Sequence, residues 1–204
     1  MKVKNRRGFT LIEMIIVTML TVLTISVVSS IFFVGNRIFS DADIKSTFQN
    51  EEQNIQEELS KRNMQGTGIN EIITDSKSIA GSELDEWFKE EKLTSVKEIS
   101  INYVNAEKQN NKYEYKNKAY IFKLIHTGDF MDEGKKVNVY KFVMTDEDGS
   151  IKKTLSENVI DFSIKPNGVD SLLFNIVLGK HAFKENTKYR IEFEISFRNK
   201  NSIL

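Results

Sequence analysis

The chain of 204 residues contains no cysteine, a single proline, a single tryptophan and two histidines. Without cysteine there are no disulfides and no thiol catalysis, and the redox compartment leaves no trace in the sequence. An exported domain of this chain would depend on its packed core alone. One proline, Pro166, rules out proline-rich linkers and collagen-like tracts, and no internal repeat appears. No glycine-rich nucleotide loop is present. Net charge is also missing: 29 basic residues balance 29 acidic ones, and they are interleaved, which gives no case for a nucleic-acid surface. The balance hides a local bias, because Lys2, Lys4, Arg6 and Arg7 all precede Gly8. Without residues 1–8 the formal charge becomes −4.

The longest absence is of charge itself. From Met14 to Val34 no residue is ionisable, and the only polar ones are Thr and Ser. As a helix this stretch spans roughly 31 Å, enough for a hydrocarbon core of about 30 Å. The basic residues ahead of it hold that end in the cytoplasm, so the chain beyond Arg37 is expected outside. A cleaved secretory signal would have a shorter apolar region and a small-residue cleavage site, loosely imitated by Ser26–Ser30. Neither a signal nor a plain anchor has a use for Glu13, which sits at the start of the oily run. A carboxylate in a spanning helix costs about 2.5–3.5 kcal/mol at the bilayer centre, less near an end, and needs a partner. Cutting the chain between Gly8 and Phe9 would create an α-amino group four residues before Glu13. In a bundle of such helices the glutamate of one chain could meet the terminal ammonium of the next, setting axial register more than adding stability.

These residues, "RRGFTLIEMIIV" followed by about twenty apolar ones, resemble the processing site of type IV pilins and pseudopilins. The resemblance implies a basic leader (Arg6, Arg7) recognised by a membrane prepilin peptidase, cleavage between Gly8 and Phe9, and N-methylation of Phe9. It also implies that Glu13 guides docking on a neighbouring subunit. The close match covers residues 6 to about 34. Many family members carry a proline where this chain has Ser30.

After Arg37 the helical pattern turns amphipathic. Ile44, Phe48, Ile55 and Leu59 fall within about 60° of one another at 100° per residue, a stripe for packing on a sheet. "QNEEQ" and "QEE" between them read as a solvated face. Gly66 and Gly68 in "MQGTG" supply a stop, so one helix is expected from about Phe9 to Met64, with a break near Gly35 and Asn36 as the alternative. "SELDEWFKEE" suggests a short helix capped by Ser82 and backed by Asp85, with Trp87 and Phe88 packed on the sheet.

From Val96 the period changes to two. "EISINYV", "KAYIFKLIHT", "NVYKFVM", "NVIDFSI", "SLLFNIVLG" and "YRIEFEISF" read as five or six strands, broken at "EKQNNK", "HTGDFMDEGKK" and the hairpin signal "KPNGVD". The expected class is α+β: a long N-terminal helix, half transmembrane and half amphipathic, packed on a C-terminal antiparallel sheet. The segments are a leader (1–8), a hydrophobic transmembrane or filament-core helix (9–35), its amphipathic half (36–65) and an extracytoplasmic β-rich domain (66–204). This order also resembles pilins, most closely minor pilins and pseudopilins of the W and J types.

Enzymatic signals are weak. His126 and His181 lack a serine or cysteine elbow. In "TDEDGS", Asp146 and Asp148 are spaced like part of a calcium loop, and Glu157 stands twelfth from Asp146. Yet Lys152 and Lys153 intervene and the glycine is fourth rather than sixth, so an Asp-Gly hairpin turn reads better than a metal site. "FRNKNSIL" at the end reads as a frayed terminus. The expectation is a non-enzymatic subunit without cofactor, either a minor pilin or pseudopilin. A major pilin and a bitopic membrane-anchored receptor or enzyme are the alternatives. The partners implied by the resemblance are prepilin peptidase, other pilins or pseudopilins, an inner-membrane assembly platform and the lipid bilayer, with no nucleic acid. Localisation is a single-pass membrane protein that passes into a cell-surface or periplasm-spanning filament.

Overall fold

The computed structural model describes residues 10–109, 112–168, 171–182 and 185–197. Residues 1–9, including Arg6, Arg7, Gly8 and Phe9, and residues 198–204 of "FRNKNSIL" lie outside the described residues. The chain divides into two compact units, Met1–Asp43 and Ile44–Leu204.

Helix α1 (Leu11–Gln65) is uninterrupted at Gly35 and Asn36, so the two-helix alternative does not hold. In the first unit every large apolar side chain of this helix, from Leu11 to Phe39, is more than half exposed. Its most apolar window has a mean hydropathy of 2.4, long and oily enough for a bilayer by length and composition. The hydroxyls along it are turned back onto the helix. Thr18 donates to Ile15 O (2.9 Å), Thr21 to Val17 O (2.7 Å), Thr24 to Leu20 O (2.8 Å), and Ser26 to Val22 O (2.9 Å). Ser30 donates to Ser26 O (2.9 Å). Polar groups satisfied within the helix lower the cost of an apolar surrounding.

The second unit holds the rest of α1 and an antiparallel sheet of nine strands among the described residues. These are β1 (Gly66–Ile73), β2 (Ser78–Ala80), β3 (Thr94–Ser95), β4 (Glu98–Gln109), β5 (Lys112–Asp132), β6 (Lys135–Thr145), β7 (Ile151–Pro166), β8 (Ser171–Ala182) and β9 (Glu185–Ser196). They run in the order β2-β1-β4-β5-β6-β7-β8-β9, with β3 against the second half of β7. The register of β6 on β7 shifts at three places, and such bulges curl the sheet. The α+β class is as expected. The sheet is larger than the five or six strands read from the period, because β1 begins where the glycines were expected only to stop the helix. Gly66 is required there for close approach: a Cβ would sit 2.7 Å from Ile101 Cγ2 and 3.2 Å from the carbonyls of Arg62 and Asn102. The break at "HTGDFMDEGKK" shrinks to two residues, Glu133 (φ 48°) and Gly134 (φ 78°), a turn with both central residues left-handed between Asp132 and Lys135.

Ile44, Phe48, Ile55 and Leu59 are all buried, as their spacing predicts. They meet a row of rings that crosses the sheet from β5 to β9. Phe122 and Phe142 lie 6.2 Å apart, Phe142 and Phe162 5.0 Å, Phe162 and Phe174 6.3 Å, Phe174 and Phe193 5.4 Å. Helix α2 (Ser82–Glu90) buries Leu84 and Trp87. Its N-cap is Gly81, not Ser82, and no side chain caps it. Trp87 is packed as expected, its Nε1 donating to Thr94 Oγ1 at 2.9 Å.

Candidate functional site: the helix N-terminus and the helix–sheet clamp

Glu13 is the only sequence-flagged residue of the processing region within the described residues. Thr10 precedes the first helical residue, Leu11, and serves as its N-cap. The Glu13 carboxylate accepts from Thr10 N (2.8 Å) and Thr10 Oγ1 (2.9 Å), while Glu13 N donates back to Thr10 Oγ1 (3.3 Å). This is a reciprocal capping box, which occupies otherwise unpaired amides of the first turn. The carboxylate also lies at the positive end of the helix dipole. Part of the answer to why an oily segment keeps a glutamate is therefore local. The Thr-x-x-Glu signal of a capping box stands in the sequence at 10–13. One carboxylate oxygen, Oε2, holds both contacts from Thr10.

The glutamates expected to face solvent do something else. Glu51 accepts from Ser156 Oγ (2.7 Å) and Asn158 Nδ2 (2.6 Å), and Glu52 from the Tyr189 hydroxyl (2.6 Å). Glu58 is buried, accepting from Arg62 Nε (2.7 Å) and Lys153 Nζ (2.9 Å). Burial alone would push the Glu58 carboxyl up, but the hydrogen bonds from Lys153 and Arg62 outweigh it and hold it below the ordinary range. Arg62 in turn donates to the Tyr120 hydroxyl (2.9 Å) and lies 4.4 Å over that ring, which stacks on Tyr103 at 4.0 Å. Three carboxylates thus fix the amphipathic half of the helix to β7 and β9. The solvated-face reading of "QNEEQ" and "QEE" is corrected for these residues, because the sheet offers donors that a period in one helix cannot reveal.

Asp146 and Asp148 lie in the β6–β7 turn. Gly149 N donates to Asp146 O (2.9 Å), Gly149 takes φ 81°, and Asp148 Oδ1 accepts from Ser150 N (2.9 Å). Lys152 occupies the Asp146 carboxylate at 2.8 Å, which gives this loop a turn's bonding pattern. No group of three or more His, Asp or Glu placed for a metal occurs among the described residues. His126 lies within β5 and packs edge-on against Tyr140, and His181 Nδ1 shares a hydrogen bond with Asn186 Oδ1 at 2.7 Å.

Residues 3–31 match the prokaryotic N-terminal methylation motif. The motif supports a type IV pilin-like precursor, handled by prepilin peptidase and assembled with other pilins. With the exposed apolar helix it supports membrane anchoring. It also suggests a structural subunit. Comparisons with curated proteins and with solved structures find no match to this chain.

Proposed function

We propose that this chain is a minor pilin or pseudopilin of a type IV pilus or a related secretion or competence filament. The observation that carries the reading is the coincidence of the methylation motif at 3–31 with a helix whose large apolar side chains from Leu11 to Phe39 all stand exposed. In this reading Arg6 and Arg7 present the leader to the peptidase. Cleavage falls between Gly8 and Phe9, and Phe9 is N-methylated. The N-terminus faces the cytoplasm and the sheet domain the outside. The oily helix then leaves the bilayer for the filament core, through an inner-membrane assembly platform, exchanging lipid for neighbouring helices. Residues 66–204 form a bulky domain to repeat along a whole fibre, which favours a minor over a major subunit.

Glu13 serves two stages. In the precursor its carboxylate closes the capping box with Thr10. After cleavage the new ammonium of an adjacent subunit becomes a partner for the remaining oxygen, and pairing selects the axial register of docking. Mass spectrometry of the protein recovered from its host tests the processing step. The expected mass lacks residues 1–8 and gains one methyl on Phe9; an intact, unmethylated terminus overturns the proposal. Glu13→Ala is expected to leave cleavage intact while reducing incorporation into filaments, and unchanged incorporation would remove the docking role.

A further inference from the structure

Strand β9 ends the sheet, and its ladder with β8 runs over twelve residue pairs without a register shift. It contains no proline and no bulge, and its core-facing residues Tyr189, Ile191, Phe193 and Ile195 carry no charge. Proteins usually blunt long edge strands with such features or with outward charges, and of these β9 carries only the charges. At one end the last residues of β5 reach its side chains: Asn186 Nδ2 donates to Met131 O (2.8 Å) and Asp132 Oδ1 (2.7 Å), and Lys188 pairs with Asp132 at 2.5 Å. From 189 to 196 no backbone bond from the described residues reaches the outer edge.

The outward row of β9 reads Lys188, Arg190, Glu192, Glu194, two cations followed by two anions. That order is its own complement under reversal. A second β9 laid antiparallel with Ile191 opposite Ile191 places Arg190 against Glu192 twice and Lys188 against Glu194 twice. On the other face Tyr189 meets Phe193 twice. Directly opposite ion pairs and aromatic pairs are the units that stabilise antiparallel strands. Competing registers pair the charges less completely, since those slid by two residues keep two opposite pairs instead of four. Sliding by two residues sets Arg190 against Arg190, or Glu192 against Glu192; sliding by one turns the apolar face outward. A parallel, in-register pair sets every charge against its like. Arg190 and Glu192, the central pair, have no side-chain hydrogen bond or ion pair among the described residues. Glu194 already accepts from Ser171 Oγ at 2.6 Å, and Lys188 holds Asp132, so these flanking groups would share their partners.

We propose that a second copy of this chain adds along the β9 edge in this antiparallel register, joining the two sheets into one. The two-fold axis stands normal to the paired strands and reverses the direction of the helix segments 44–65 packed on them. The contact therefore joins copies of opposed orientation and is separate from any packing that aligns the α1 helices in one direction. It goes beyond the filament reading and stands whether or not that reading does.

The test uses the full chain in mild detergent, where no native cysteine competes. Arg190→Cys and Glu192→Cys chains are oxidised separately and mixed. The register predicts a disulfide dimer in the mixture several-fold above either chain alone, since opposite residues lie about 4.5–5.5 Å apart at Cβ and diagonal ones about 7–8 Å. Equal yields in all three reactions would mean random collision and overturn the proposal. In cysteine-free chains, Arg190→Glu or Glu192→Arg alone is expected to weaken self-association about tenfold or more, each acting at two symmetric pairs. The double exchange restores opposite charges and is expected to restore association; failure to do so overturns the register. Trp87 fluorescence confirms that each variant is folded.

Discussion

Replacing Glu58 by alanine removes the acceptor that holds two cations beneath the helix. The carboxylate takes Arg62 Nε at 2.7 Å and Lys153 Nζ at 2.9 Å, with its side chain 7% exposed. Breaking a buried ion pair by deleting one partner costs about 3–5 kcal/mol when the other charge is left stranded. Here the stranding is partial. Lys153 is 39% exposed and can turn to water, and Arg62, at 20%, keeps its bond to the Tyr120 hydroxyl and its place over that ring. The expected cost is therefore about 2 kcal/mol, below the fully buried case. Glu58→Gln, which preserves shape and one acceptor, should cost about 1 kcal/mol. The sign of the pH dependence follows from the depressed carboxyl of Glu58. A carboxylate whose folded pKa lies below its unfolded value contributes fully above the unfolded pKa, and the contribution is lost as pH falls through the folded one. The gap between wild type and Glu58→Gln should thus be widest near pH 7 and narrow on acidification to about pH 4 and below. Urea titration in mild detergent, read by the single buried tryptophan Trp87, measures both quantities. A loss under about 0.5 kcal/mol for Glu58→Ala, or a Gln gap independent of pH, would refute the clamp as a stabilising device.

The remaining perturbations use the same readout unless stated. Phe162 is 1% exposed between Phe142 and Phe174, so Phe162→Ala should cost about 3–5 kcal/mol, whereas Phe162→Leu should cost less by keeping most of the volume. Gly66→Ala drives a Cβ toward Ile101 and two backbone carbonyls, and a loss of about 1–3 kcal/mol is expected; pairing it with Ile101→Val should recover part of the loss. Tyr189→Phe deletes the hydroxyl bonded to Glu52 and is expected to cost about 1 kcal/mol, with Glu52→Gln adding little more in the double variant because the hydroxyl that position 52 would accept is already gone. Ser30→Pro removes an amide from the helix interior and should lower helix content of the full chain in detergent, measured by circular dichroism at helical wavelengths.

Periodicity made much of this molecule legible. A charge-free run and a 100° stripe are properties of one helix, and Ile44, Phe48, Ile55 and Leu59 were readable because burial of apolar surface is non-directional. The later strands announced themselves by alternation. What escaped was set by partners far away in the chain. Glu51, Glu52 and Glu58 look solvated until Ser156, Asn158, Tyr189 and Lys153 arrive from strands about a hundred residues on. β1 was hidden because its glycines carry the usual meaning of a helix stop, and only the closeness of Ile101 shows that Gly66 is also a packing residue. The Glu13 capping box is different: it lies in four consecutive residues and needs no distant partner.

The three glutamates also bear on how a filament subunit would work. An apolar stripe lowers the free energy of contact between helix and sheet but leaves sliding along the helix axis weakly opposed, because neighbouring registers bury similar area. Hydrogen bonds with fixed donors do not tolerate such sliding: a shift of one helical residue, about 1.5 Å, already breaks contacts of 2.6–2.9 Å at Glu51, Glu52 and Glu58 together. If the oily half of α1 is drawn into a filament core, the force reaching residues 44–65 is resisted at these carboxylates rather than by the core rings. That assigns the polar clamp a mechanical role distinct from its stability. A variant with Glu51, Glu52 and Glu58 all changed to glutamine should retain the sheet yet show faster amide hydrogen exchange in residues 44–65 of α1 than in β8. Uniform acceleration across both elements would mean that the clamp contributes only to global stability.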